Sequence, residues 1–332
     1  MSPFDSFGSG EGRHIEQERI PEIRIESAIE YFEADRDLLI ERLAQNLQSR
    51  TNRGVDMWDE VSVDDMRPKA VDQLAEMEKT IELNRERIRL QVVHCFDLVR
   101  QKEYRVGTSD IFILIYPEGL ANMIPFLEEK TLGIPGYFDP YNGWVTLDPE
   151  TSNRTIAHET GHAISHKGKD SEGWEEVGFS KMRKTEDDSY ESIGFQHYDE
   201  GVTMLWEEYA GLDGERLEDA GIYEWLRKLV GFQMNEAGIS FDELMSANFG
   251  GGEAMEQFNE KIKQRFGMTL VEMDPLRLLL FKPFELTEKV LLGEEIEIPF
   301  GDRDGREYPT RQAGLLKRRF PNAKFSAWPN IE

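Results

Sequence analysis

A chain of 332 residues with 39% hydrophobic content is long and apolar enough for one large domain or two modest ones, each with a buried core. A formal net charge of −26 speaks against a nucleic-acid-binding face and against adhesion to an anionic membrane. Cys95 is the only cysteine, which excludes an intrachain disulfide, and the opening Met1-Ser2-Pro3-Phe4 has neither a basic nor an apolar leader character, so the chain reads as cytoplasmic.

Residues 1–20 are polar and rich in Gly and Ser, the composition of a loose arm. Residues 21–104 read as a helical N-terminal region. Ile29, Phe32, Leu38, Leu39, Leu43 and Leu47 form an apolar stripe over 26–49, and a loop over 51–63 follows. A long helix is predicted over 68–102, with Pro68 at its first position and Leu74, Met77, Ile81, Ile88, Val92, Cys95 and Val99 at three- and four-residue spacing. Cys95 falls on that stripe and is expected to be a buried structural thiol. A catalytic core is expected over 105–292. It opens with a buried strand over 109–116 and a second strand over 143–147, inside a candidate segment spanning 136–148.

The second strand runs almost directly into His158-Glu159-Thr160-Gly161-His162, an H-E-x-x-H motif. Two histidines four residues apart on a helix project from one face, so both imidazoles reach a single metal ion. Glu159 reaches a water at that metal without displacing it, which suits a general base. Pro149 offers a first helical position, with Asp148 or a nearby hydroxyl residue as the cap. A third ligand is needed. His166 lies eight residues past His158, about 12 Å along a continuous helix, too far for both to hold one ion. It reads instead as a helix-end histidine.

A better third donor is Glu200, near the start of a helix over 199–210 with Asp199 as its cap. The H-E-x-x-H helix followed by Glu200-Gly201-Val202-Thr203 resembles the gluzincins, zinc peptidases whose third ligand is a glutamate on the next long helix. The resemblance covers roughly residues 109–210. It implies one Zn2+ held by His158, His162 and Glu200, with Glu159 as general base, and a peptide or protein as substrate. It also implies that Gly143, Trp144 and Val145 lie on the sheet edge that aligns the substrate. Tyr198, Tyr209 and Tyr223 are the candidates for stabilising the oxyanion. Many gluzincins carry an acidic residue one turn after the ligand glutamate. Met204 stands there, so the outer partner of His158 or His162 is expected from Thr203, Glu207 or a backbone carbonyl.

The segment over 167–198 is polar and is expected to form a loop with a short hairpin. Further helices are predicted over 215–238, 241–248, 252–266 and 275–292, the last broken at Pro283. The final part, 293–332, carries a strand over 295–300, a Gly-rich turn over 301–305 and the basic run Lys317-Arg318-Arg319, expected to dock on the acidic body. The fold class is α+β: a zincin-like core with a small mixed sheet, a helical N-terminal extension and a mostly helical C-terminal part. The activity expected is zinc-dependent peptide-bond hydrolysis. Three alternatives stand beside it. The segment Gly143–His166, which ends in H-E-T-G-H-x-x-x-H, also resembles the regulatory peptidases that cleave phage repressors and stress regulators, which act on one specific protein. The others are a zinc amide hydrolase that is not a peptidase, and a catalytically silent zinc-stabilised binding module.

Overall fold

The sheet that precedes the H-E-x-x-H helix takes its first strand from the N-terminal region. The computed structural model describes residues 22–31, 35–53, 61–104, 106, 110–117, 120, 135–185, 190–194, 196–212, 222–280, 282–299 and 310–326, and the architecture is mixed α+β. The expected arm over 1–20 and the turn over 301–305 lie outside these residues. β1 (Ile23–Ser27) leads into one helical turn, α1 (Ala28–Tyr31), and then α2 (Arg36–Thr51). The helix predicted over 26–49 thus begins only at Arg36. Ile23 and Ile25 alternate with Arg24 and Glu26, a period-two pattern that belongs to a strand. Asp35 then starts α2 by accepting the amides of Asp37 and Leu38.

α3 (Val63–Gln101) is 39 residues long, about 58 Å. It starts earlier than Pro68 because Ser62 and Asp65 form a capping box, so Pro68 lies inside the helix. Cys95 is fully buried in it and its thiol is pushed up to about 12 by burial, which fits a structural role.

β2 (Ile111–Ile115), β3 (Gly136–Asp139) and β4 (Trp144–Leu147) complete a four-stranded sheet in the order β1-β2-β4-β3. β1, β2 and β4 are parallel, and β3 is antiparallel to β4. Alternation along β2 divides the core. Ile111, Ile113 and Ile115 join a large cluster with Ile88, Val92 and Ile156, while Leu114 and Tyr116 join a smaller one with Leu39, Leu43 and Leu74. The sheet is therefore covered on both faces, and the long helix α3 contributes to both clusters, Ile88 and Val92 to one and Leu74 to the other.

α4 (Asn153–Ser165) carries the motif. Its cap is the Ser152 hydroxyl, which accepts the Thr155 amide at 3.1 Å. Pro149 is not its first residue but lies in the preceding turn, where Arg87 of α3 binds its carbonyl at 3.0 Å and Asn153 Oδ1 at 2.9 Å. The polar segment after α4 holds more β-structure than a loop and hairpin: β5 (His166–Lys169), β6 (Glu175–Val177), β7 (Ser180–Lys184) and β8 (Tyr190–Gly194) form a second, antiparallel sheet. Charged residues on its strands hide the period-two signal.

α5 (Gln196–Ala210) packs along α4, and α6 (Ile222–Ala237), α7 (Phe241–Gly250) and α8 (Gly252–Phe266) follow. The helix predicted over 275–292 is instead α9 (Leu270–Met273), a 3₁₀ segment (Asp274–Leu279) and α10 (Phe284–Leu291), with the break at Pro283 as expected. β9 (Ile296–Pro299), α11 (Thr310–Arg319) and β10 (Ala323–Ser326) end the described chain, the two strands pairing in parallel. α11 docks through buried Leu316 and an ion pair from Arg319 to Glu272 at 2.8 Å. Among the described residues, no helix is long and apolar enough to cross a membrane.

Candidate metal centre

α4 presents His158 and His162 one turn apart, and α5 crosses the same face. The approach is close because position 161 is glycine: a Cβ there would sit 2.6 Å from the Trp206 ring and 3.1 Å from Thr203. Glu200, at the start of α5, is thereby brought onto the two histidines. His158 Nε2 lies 3.2 Å from His162 Nε2 and 3.2 Å from Glu200 Oε2, and His162 Nε2 lies 3.5 Å from that same oxygen.

These three edges test the fit to a metal. Donors about 2.05 Å from a tetrahedral zinc are about 3.3 Å from one another. The triangle of 3.2, 3.2 and 3.5 Å has the size of one face of such a tetrahedron. Two imidazole nitrogens and one carboxylate oxygen are also a donor set suited to zinc. Among the described residues, this is the group of His, Cys, Asp and Glu placed to hold a metal. The Glu200 side chain keeps 32% of its surface exposed, against 13% and 11% for the two histidines, so the triangle is open on the glutamate side.

Each histidine is braced at its other nitrogen. His158 Nδ1 is 2.9 Å from Glu207 Oε2, and Glu207 Oε1 receives the Arg154 guanidinium at 2.9 Å. The Arg154 and Glu207 side chains are only 8% and 5% exposed. His162 Nδ1 is 3.4 Å from the Thr203 hydroxyl, which donates to the Asp199 carbonyl at 2.8 Å. With its own hydrogen engaged there, Thr203 Oγ1 is left to accept from His162 Nδ1, which turns the Nε2 lone pair outward. Glu200, Thr203 and Glu207 occupy the α5 face that meets α4.

The charges are coupled. Burial opposes a charged His158, yet its hydrogen bonds to Glu200 and Glu207 outweigh that and hold its pKa well above the imidazole range. Burial would raise Glu200, but the charge of His162 and the bond to His158 hold its carboxyl well below the usual range. Glu159 is buried at 8% exposure, and its carboxyl is raised chiefly by burial, with His158, His162 and the Phe138 backbone N–H acting the other way. Room for it comes from Gly136 of β3, where a Cβ would fall 2.8 Å from Glu159 Cγ.

The strand expected to align substrate is not an edge. Trp144 and Val145 belong to β4, which pairs with β2 on one side and β3 on the other, while Gly143 sits in the β3–β4 turn. β4 has no side left for pairing, and the edge strand next to α4 is β3. The three tyrosines stand in different settings. Tyr198 is fully buried against Phe179 and Phe258, Tyr209 packs on Trp206 and Phe241 about 13 Å along α5 from Glu200, and Tyr223 lies exposed on α6. Asp199 is not a cap but lies within α5. Its carboxylate accepts the Phe179 amide at 2.6 Å and the Ser180 hydroxyl, and burial raises its pKa to about 7. His166 caps the C-terminal end of α4 and its ring meets Glu175 at 3.2 Å rather than the triangle. Residues that sequence reasoning missed are Gly136, Phe138 and Arg154. Only Arg154 left a signal, one turn before His158 on the same helix.

Comparison with protein-family models, curated proteins and solved structures finds no match.

Proposed function

We propose that this chain is a zinc-dependent peptide hydrolase with a zincin-like core of the gluzincin kind. The observation that carries the reading is the tetrahedron-sized triangle of His158, His162 and Glu200, with the Glu159 carboxylate buried beside it. A zinc ion bound there would supply Lewis acidity toward a water and a substrate carbonyl. Glu159 takes a proton from the attacking water as the water adds to the carbonyl carbon. It returns that proton to the leaving amine as the C–N bond breaks. A carboxyl raised by burial suits a group that must hold a proton between those steps.

β3 supports a peptide as the substrate. Among the described residues its only strand partner is β4, and its other side is where an extended substrate chain is proposed to pair. Gly136 and Phe138 place that strand against Glu159. The test is metal analysis of the purified protein together with digestion of a peptide library, with and without chelator. Stoichiometric zinc and chelator-sensitive cleavage are expected. A protein that binds no zinc, or cleaves as well after chelation, would refute the reading.

A further inference from the structure

We propose that Arg154 is a positioning residue of the metal centre, acting on His158 through Glu207. The inference rests on the metal-binding reading above and goes beyond it, to a residue that touches no ligand position.

The geometry is a chain. Glu207 bridges with one oxygen to each neighbour, Oε1 to Arg154 at 2.9 Å and Oε2 to His158 Nδ1 at 2.9 Å. A carboxylate held at both oxygens cannot turn. One facing a guanidinium offers only acceptor lone pairs, so His158 Nδ1 must be the donor. That leaves Nε2 as the nitrogen that faces His162 and Glu200. Arg154 is seated firmly. Its stem lies against the end of α5, where a Cβ at Gly211 would be 2.9 Å from Arg154 Cγ, and Glu208 adds a second carboxylate at 4.0 Å. Burial of an ion pair is weak evidence of stabilisation, since apolar residues of equal volume commonly serve as well. Its place one turn from a candidate ligand is better explained by orientation.

α3 braces the same corner. Gln91, fully buried, donates to the Ala210 carbonyl at 2.8 Å and accepts the Leu212 amide at 3.1 Å, which fixes the end of α5 just beyond Glu207. Arg87, one turn earlier, ties down the start of α4 just before Arg154. Both ends of the Arg154–Glu207 pair are thus anchored to one helix.

The experiment uses the full chain and measures zinc affinity by chelator competition for wild type, Arg154→Met, Arg154→Lys, Glu207→Gln and the Arg154→Met/Glu207→Gln double variant. Circular dichroism establishes that each is folded, and 15N NMR of the zinc-loaded proteins reports the His158 tautomer. Arg154→Met is expected to lose about 10- to 100-fold in affinity, the usual cost of an outer partner. Arg154→Lys keeps the charge but not the planar fork, and should fall between it and wild type. The double variant should bind no more weakly than Glu207→Gln alone, because both substitutions break one chain. The Nδ1–H signature of His158 should weaken in each variant. Wild-type affinity in folded Arg154→Met, or additive losses in the double variant, would overturn the inference while leaving the metal centre standing. Should Arg154→Met fail to fold, wild-type affinity in Arg154→Lys overturns it equally. Lowered thermal stability with unchanged affinity and tautomer would assign the pair to folding alone. Absence of zinc binding by the wild type would sink the metal-centre reading and this inference with it.

Discussion

His158 and His162 point the same ring nitrogen at the same place from adjacent turns of one helix, yet the protein holds them by different means. His158 is fixed by a buried, charged chain that runs through Glu207 to Arg154. His162 is fixed by a neutral hydroxyl at 3.4 Å, itself committed to a backbone carbonyl. The difference teaches that spacing within α4 sets where the two rings start, while α5 decides how rigidly each is aimed. A carboxylate that is itself clamped resists rotation more than a hydroxyl on a single rotor.

The largest expected effect leaves both braces untouched. Glu159→Gln keeps the side-chain shape but cannot accept a proton, so hydrolysis should fall by about 10²- to 10⁴-fold with zinc content unchanged. Rate and metal analysis on one preparation check it, and near wild-type turnover would remove Glu159 as the base. Glu200→Ala comes next. It deletes a corner of the triangle that both histidines share, so zinc affinity should drop by more than the roughly 10- to 100-fold typical of an outer partner. Chelator competition decides it, and unchanged affinity would place the third ligand elsewhere.

Acidity should separate the metal-free protein from the zinc-loaded form proposed. Without metal, the raised pKa of His158 means its imidazolium adds stability that is fully present below the unfolded value of about 6.5 and is lost as pH climbs through the folded value. Zinc bound as proposed would have to displace that proton, so affinity should rise over the same window, by up to about tenfold per pH unit. Thermal melts in chelator and zinc titrations across pH 6 to 9 are expected to slope in opposite directions. Parallel slopes would mean that His158 carries no extra proton. The smallest effect falls on the neutral brace. Thr203→Val keeps the shape and removes the acceptor for His162 Nδ1, and should weaken zinc binding by about tenfold or less. A loss as large as that of Glu207→Gln would erase the contrast between the two histidines.

The donors were legible because their signal is local. H-E-x-x-H on one helix and Glu200 on the next need only the pitch of an α-helix to be read, and the structure brings all three together. Glu207 and Thr203 were legible as two of three options, the third being a backbone carbonyl, and α5 uses both side chains, one for each histidine. Strand order was not legible. Trp144 and Val145 read as an edge because they precede the motif, but β3 adds to their outer side as an antiparallel partner. The boundaries of α2, α3 and α5 moved for local reasons that competed with the apolar stripe: strand alternation over β1, a capping box at Ser62, and Asp199 turned inward to Phe179 and Ser180.

By itself the sequence determined the mixed α+β character, the motif helix and the face on which its two histidines stand, because helical periodicity acts over a few residues and depends on no other element. Tertiary structure alone decided which strand is exposed beside Glu159, that β1 and α3 belong to the sheet and its cover, and that Arg154 meets Glu207 across 53 residues of chain. Those choices follow from which surfaces can be buried together. Such burial depends on contacts between distant segments, and a single sequence carries no local mark of them.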